Sequence, residues 1–179
     1  MVWGCFWDPY RGTFVSLIVK SVDRFVYHDL LENVLPPVLQ RVRETTGAEP
    51  IFMEDNSRVH KNGVVKEWHD AHGVEVMKWP PYSPDINPIK HLWRRLKEKM
   101  QKMYPGIGDT KGGPERVRKW LAQVLPLVWD TLESEYLEDL WTSMPSRVCV
   151  VIAANGWYTK YQKKKNSILY TYRFSTTSN

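Results

Sequence analysis

The spacing of apolar positions changes its period several times along the chain. Met1 to Phe6 (MVWGCF) and Thr13 to Lys20 are short apolar runs, the second rich in β-branched residues. Between them, Asp8-Pro9-Tyr10-Arg11-Gly12 has turn composition, so the pair predicts an antiparallel hairpin. From Ser21 to Glu44, Phe25, Leu30, Leu31, Val34, Val38 and Val42 suggest a helix interrupted near Pro36-Pro37. Gly47 leads into Pro50-Ile51-Phe52-Met53, a short apolar run that ends on Glu54 and Asp55 and reads as a buried strand. Val64, Val65, Trp68 and Ala71 return to helical spacing and stop at Gly73; Val74-Glu75-Val76-Met77 then alternates like a strand. Strand, helix, strand predicts a parallel pair joined by a crossover helix.

The next ten residues, Trp79 to Pro88, hold four prolines, so they form neither helix nor central strand. Asn87 as N-cap and Pro88 at the first helical position start a helix whose face is Ile89, Leu92, Trp93, Leu96, Met100 and Met103. Arg94, Arg95, Lys97, Lys99 and Lys102 fall mostly elsewhere on it. Tyr104 to Pro114 is Gly- and Pro-rich and reads as a connection. Glu115 to Trp129 and Leu132 to Met144 predict amphipathic helices with Val117, Trp120, Leu121, Val124, Trp129, Leu137, Leu140 and Trp141 toward the core. Their tryptophans have the amphipathic surface to stack on bases, but helical spacing favours core packing. Pro145 opens a last helix that Asn155-Gly156 ends.

Composition narrows the class without naming it. The 179 residues suffice for one domain with a sizeable core, and 42% hydrophobic content with nine tryptophans excludes a disordered chain. A net charge of +5 and a pI near 9.1 permit a polyanionic partner without demanding one. Cys5 and Cys149 stand alone and far apart, which implies no disulfide framework and no zinc site, and a reducing compartment. The longest apolar runs are too short to span a bilayer and no signal-peptide pattern opens the chain, so the expectation is a soluble protein.

Several motifs together resemble one family. EDN at Glu54 to Asn56 with His60 after it, WPPYSPDINPI from Trp79 to Ile89, and HLW at His91 to Trp93 look like the catalytic domain of Tc1/mariner transposases. MVWGCF resembles that domain's second strand, and SMPSRVCVVIAANGWYTKY from Ser143 to Tyr161 its C-terminal signature. The resemblance covers nearly the whole chain. It implies an α/β, ribonuclease-H-like fold, a mixed sheet flanked by helices with further C-terminal helices. Residues 1–104 would be a partial DDE catalytic core, 105–161 its C-terminal helical part, and 162–179 a basic, disordered tail. The family's first strand, central in the sheet and bearing its first catalytic Asp, would precede Met1. Its loss predicts exposed strand edges and self-association.

The resemblance also implies the chemistry. The family cuts and joins DNA with Mg²⁺ or Mn²⁺, held by an Asp-Asp-Glu set that assists displacement at phosphorus. Asp55 matches the second acid, the catalytic and metal ligand. The third follows NPI after thirty-four intervening residues; that spacing is kept here, but the residue is Lys90. An ammonium has no lone pair and cannot ligate a metal. At the third residue of a helix the dipole also favours an acid, so Lys90 breaks a local rule as well. Set beside Asp55 as in the family, it would form an ion pair in the emptied metal site. Asp8 and Asp85 offer substitutes only if ordinary turn and capping chemistry is set aside. Alternation along the strand points Glu54 to the opposite face. His60 either supports Asp55 or caps the next helix, and Asn56 orders the turn. Transposon-end DNA is the implied partner. Arg94, Arg95, Lys97, Lys163, Lys164 and Lys165 are candidate phosphate contacts, although the lysine run also suits a solvated tail. The nucleus or the cytoplasm is the implied location. The expected function is a catalytically defective transposase domain; the competing reading is a domesticated, non-catalytic DNA-binding or interaction protein on the same scaffold.

Overall fold

The computed structural model describes residues 1–7, 9–16, 19, 21–80, 83–84, 86–106 and 113–157. Asp8, Asp85, Lys163, Lys164 and Lys165 lie outside them. The chain divides into two compact units, one drawn from 19–82 and the other from 2–18 with 83–174.

In the first unit, Asp23 caps helix α1 (Arg24–Thr46), its carboxylate accepting from the backbone N–H of Phe25 and Val26. The expected interruption does not occur: α1 runs unbroken through Pro36 and Pro37. Each proline removes one backbone donor. Burial of Leu31, Leu35, Val38 and Leu39 around that point supplies the compensating apolar contact. Phe25, in the first turn of α1, is 60% exposed. Strand β3 (Ile51–Phe52), helix α2 (Gly63–Ala71) and strand β4 (Glu75–Val76) follow in the expected order, with β3 and β4 paired in parallel, but β3 is not the buried strand expected: Ile51 is exposed and Phe52 half-buried. Asn62 caps α2, and Gly73, at φ 62°, makes the left-handed exit toward β4 that a side chain would strain. Val65 and Trp68 of α2 are buried along with Tyr27, Leu30 and Leu31 of α1. The Trp68 ring N–H donates to Glu32 Oε2 at 2.5 Å, and the same ring stacks on His72 at 4.2 Å.

In the second unit, β1 (Val2–Trp7) and β2 (Tyr10–Ser16) form the predicted antiparallel hairpin, with an irregularity between Gly4 and Phe6. Asn87 and Pro88 start helix α3 (Pro88–Met103) as expected, the Asn87 side chain accepting from Ile89 N–H at 3.3 Å. Helices α4 (Gly113–Asp130), α5 (Ser134–Thr142) and α6 (Met144–Ala153) follow. Leu92, Leu96 and Met100 of α3 pack with Val124, Leu125, Val128 and Trp129 of α4, Leu132, and Leu137 and Leu140 of α5. The hairpin closes on this core through Phe14, whose ring lies 5.1 Å from Trp129 and 6.2 Å from Trp93. One core assignment fails: Trp141, near the end of α5, is 54% exposed, and Met103, on the apolar face of α3, is exposed as well. Among the described residues the sheet is two separate strand pairs, β1–β2 and β3–β4, and not the single mixed sheet that the family pattern implies.

Candidate active site around Asp55

Strand β3 ends at Phe52, and the chain beyond it is no longer held in a ladder apart from Met77 N–H donating to the Phe52 carbonyl at 2.9 Å. Glu54 and Asp55 therefore leave the strand's alternation, and both approach His60. His60 Nδ1 lies 3.1 Å from Asp55 Oδ1 and 3.9 Å from a Glu54 oxygen. Asp55 Oδ1 also accepts from the Ser57 backbone N–H at 3.2 Å, closing a tight turn. Asn56 orders that turn as expected, donating from its side chain to the Trp79 carbonyl at 2.7 Å. Asn62, not His60, caps α2.

Glu54 is not a surface acid. Its side chain is 10% exposed, accepts from the Tyr27 hydroxyl at 2.7 Å, and lies 3.5 Å from His69 Nε2. The Tyr27 ring packs on His60 with centroids 4.6 Å apart. His69 is 4% exposed and lies 5.7 Å from the Phe52 ring, and neither of its ring nitrogens completes a hydrogen bond. Burial alone pulls the His60 pKa down, but the hydrogen bond to Asp55 and the charges of Glu54 and Asp55 outweigh it and leave it above its ordinary value. Tyr27 and His69 escaped the sequence reading because both occupy core spacing. Their signal was polarity at those positions: His69 follows Val65 by four residues, on the buried side of α2.

Lys90, Arg94, Arg95 and Lys97 fall in the second unit. Lys90 occupies the first turn of α3, which holds no acid, and its backbone N–H donates to the Asn87 carbonyl at 3.2 Å. Arg94 lies 3.7 Å from Glu98, and Arg95 lies 3.4 Å from Glu133 with its guanidinium over the Tyr136 ring. Partial burial lowers the Lys97 pKa.

Among the described residues, the side chains around Asp55 do not by themselves supply a full ligand set for a divalent metal. Mg²⁺ needs several hard oxygen ligands. Among the described residues no three His, Cys, Asp or Glu side chains converge in a way that could hold an ion. Asp55 supplies one carboxylate, already engaged by His60 and Ser57.

Comparison with known proteins gives this arrangement its relatives. The family described as DDE superfamily endonuclease matches residues 12–109. The Tcb1 transposase of Caenorhabditis briggsae is 35% identical over 161 residues, covering 90% of this chain and 54% of that protein. The chain thus spans about half the length of that curated relative. The Mos1 transposase catalytic domain, solved with raltegravir and Mn, superposes with a TM-score of 0.67 at 23% identity over 86% of this chain and 74% of that one. The Mos1 paired-end complex with the left transposon end gives 0.58 at 25% identity, covering 78% of this chain and 38% of that one. The fold is that of the Mos1 catalytic domain, mixed α/β and ribonuclease-H-like. Taken with Asp55 just beyond a parallel strand and the proline-led entry to α3, the matches show that the chain belongs to the Tc1/mariner family of DDE transposases, as its catalytic domain.

Proposed function

We propose that this chain is a disarmed copy of the family's DNA-cutting domain: it engages DNA but does not cleave it unaided. The observation that carries this is Lys90, which stands thirty-four intervening residues after Asp55, where the family pattern has its third acid. A cation there removes a ligand and adds like charge toward any divalent ion. Asp55 remains as the second acid, oriented by Ser57 and His60. The Mos1 domain has been solved with Mn and with Mg, which supports those metals as the ones such a domain uses. The Mos1 paired-end complex with the left transposon end supports transposon-end DNA as the partner.

Nicking of supercoiled plasmid in Mg²⁺ or Mn²⁺ tests the reading. The native chain is expected to leave the plasmid intact, and Lys90→Glu to raise Mn²⁺ affinity measured by electron paramagnetic resonance. Metal-dependent nicking by the native chain would overturn the disarmed state. Failure to bind DNA at low salt would overturn the DNA-engaging role.

A further inference from the structure

In the first unit, a solvent-open depression of about 370 Å³ lies among Asp23, Arg24, Phe25, Arg58, Val59 and Asn62. Its volume falls in the range of small-ligand sites. Two arginines against one aspartate leave its lining net positive. Asp23 Oδ1 accepts from the N–H groups of Phe25 and Val26 at 2.9 and 3.0 Å, so part of that carboxylate serves α1. Among the described residues neither Arg24 nor Arg58 pairs with a carboxylate, unlike Arg43, Arg95 and Arg118. Arg24 lies over one face of the Phe25 ring at 4.8 Å, yet that ring remains 60% exposed. Two unspent guanidinium groups beside an exposed ring match the chemistry of a nucleotide, a phosphate joined to a flat base.

We propose that this depression seats one nucleotide of a DNA strand, with Arg24 and Arg58 on its phosphate and Phe25 on its base. The proposal rests on the DNA-engaging reading above and names the surface that does the engaging. Its position fits: the loop carrying Arg58 and Asn62 begins at Asp55 and is tied to it through His60. A bare phosphate would use the arginines and leave the ring idle. A duplex would keep its bases stacked away from Phe25. The preferred ligand is therefore a single strand.

Fluorescence anisotropy of the full chain with a labelled short oligothymidylate, and with a duplex of equal length, tests the assignment. Arg24→Glu with Arg58→Glu is expected to weaken single-strand binding at least about tenfold, and to flatten its log–log salt slope by about 0.7 for each phosphate no longer neutralised. Phe25→Ala is expected to weaken single-strand binding about fivefold and leave the duplex unchanged. Arg24→Lys with Arg58→Lys should retain most binding, and unchanged melting of every variant excludes misfolding. If the native chain binds the oligonucleotide and these variants do not change that, the depression is not the site. If inorganic phosphate displaces the strand at matching concentration, it is an adventitious anion site only, and the assignment also fails. Absence of any DNA binding by the native chain would instead remove the reading on which the assignment rests.

Discussion

Tyr27 shows what one hydroxyl does on an otherwise apolar helix face. It meets Glu54 at 2.7 Å, in a place where the carboxylate has little access to water. Tyr27→Phe keeps the ring and strands the acid, so a loss of about 1–3 kcal/mol is expected in urea unfolding. Thiol chemistry offers a second check at this scale. Burial pushes the Cys5 pKa up to about 12, against a smaller lowering by its hydrogen bond to Thr13, whereas Cys149 is exposed. At pH 8 only about one Cys5 in ten thousand is thiolate, so iodoacetamide should label Cys149 alone in the folded chain. The residues readable from sequence were those obeying local rules: Asn87 and Pro88 as a helix start, Asn56 as a turn former. Glu54 was misplaced because strand alternation was extended past Phe52, where the ladder has already stopped.

Among the elements, the two strands of the hairpin come closest together at Gly12. A Cβ at Gly12 would stand 2.4 Å from Cys5 Sγ and 2.8 Å from the Cys5 carbonyl oxygen. Gly12→Ala must therefore shift β1 against β2, and a loss of about 1–3 kcal/mol in thermal unfolding is expected. At the α4–α5 junction, Glu133 lies 2.7 Å from Lys99 Nζ and 3.4 Å from Arg95. The Lys99 hydrogen bond, ahead of the two positive charges, holds its pKa below the ordinary 4.5. A depressed carboxyl stabilises the fold above that value and loses its contribution as pH falls through the folded pKa. Glu133→Gln should thus flatten the fall in melting temperature below about pH 4.5, by well under about 1 kcal/mol since the side chain is open to solvent. The hairpin, the strand–helix–strand unit and α3 were legible because their periodicity is strong and their caps agree with it. The continuity of α1 was not: Pro36 and Pro37 argue locally against helix, and only the buried leucines around them, a tertiary effect, decide otherwise.

At the scale of the molecule, two strand pairs stand among the described residues where the family pattern implies one sheet. Strands with unpaired edges invite pairing with other chains. Sedimentation velocity is expected to show concentration-dependent association; one sharp monomeric species at all concentrations would count against it. This arrangement was beyond reach of periodicity, which assigns strands but not their partners across long stretches of sequence. The unbroken α1 has a consequence of its own. Prolines at 36 and 37 leave the carbonyls of Glu32 and Asn33 without their usual donors, so the helix carries a soft joint at its middle. The Glu32 side chain is also the one that receives the Trp68 ring N–H, so α2 clasps α1 at the turn least able to hold itself. Amide protons on the two sides of that joint should exchange with deuterium at separate rates, and replacing Trp68 should turn a splinted rod into a hinge.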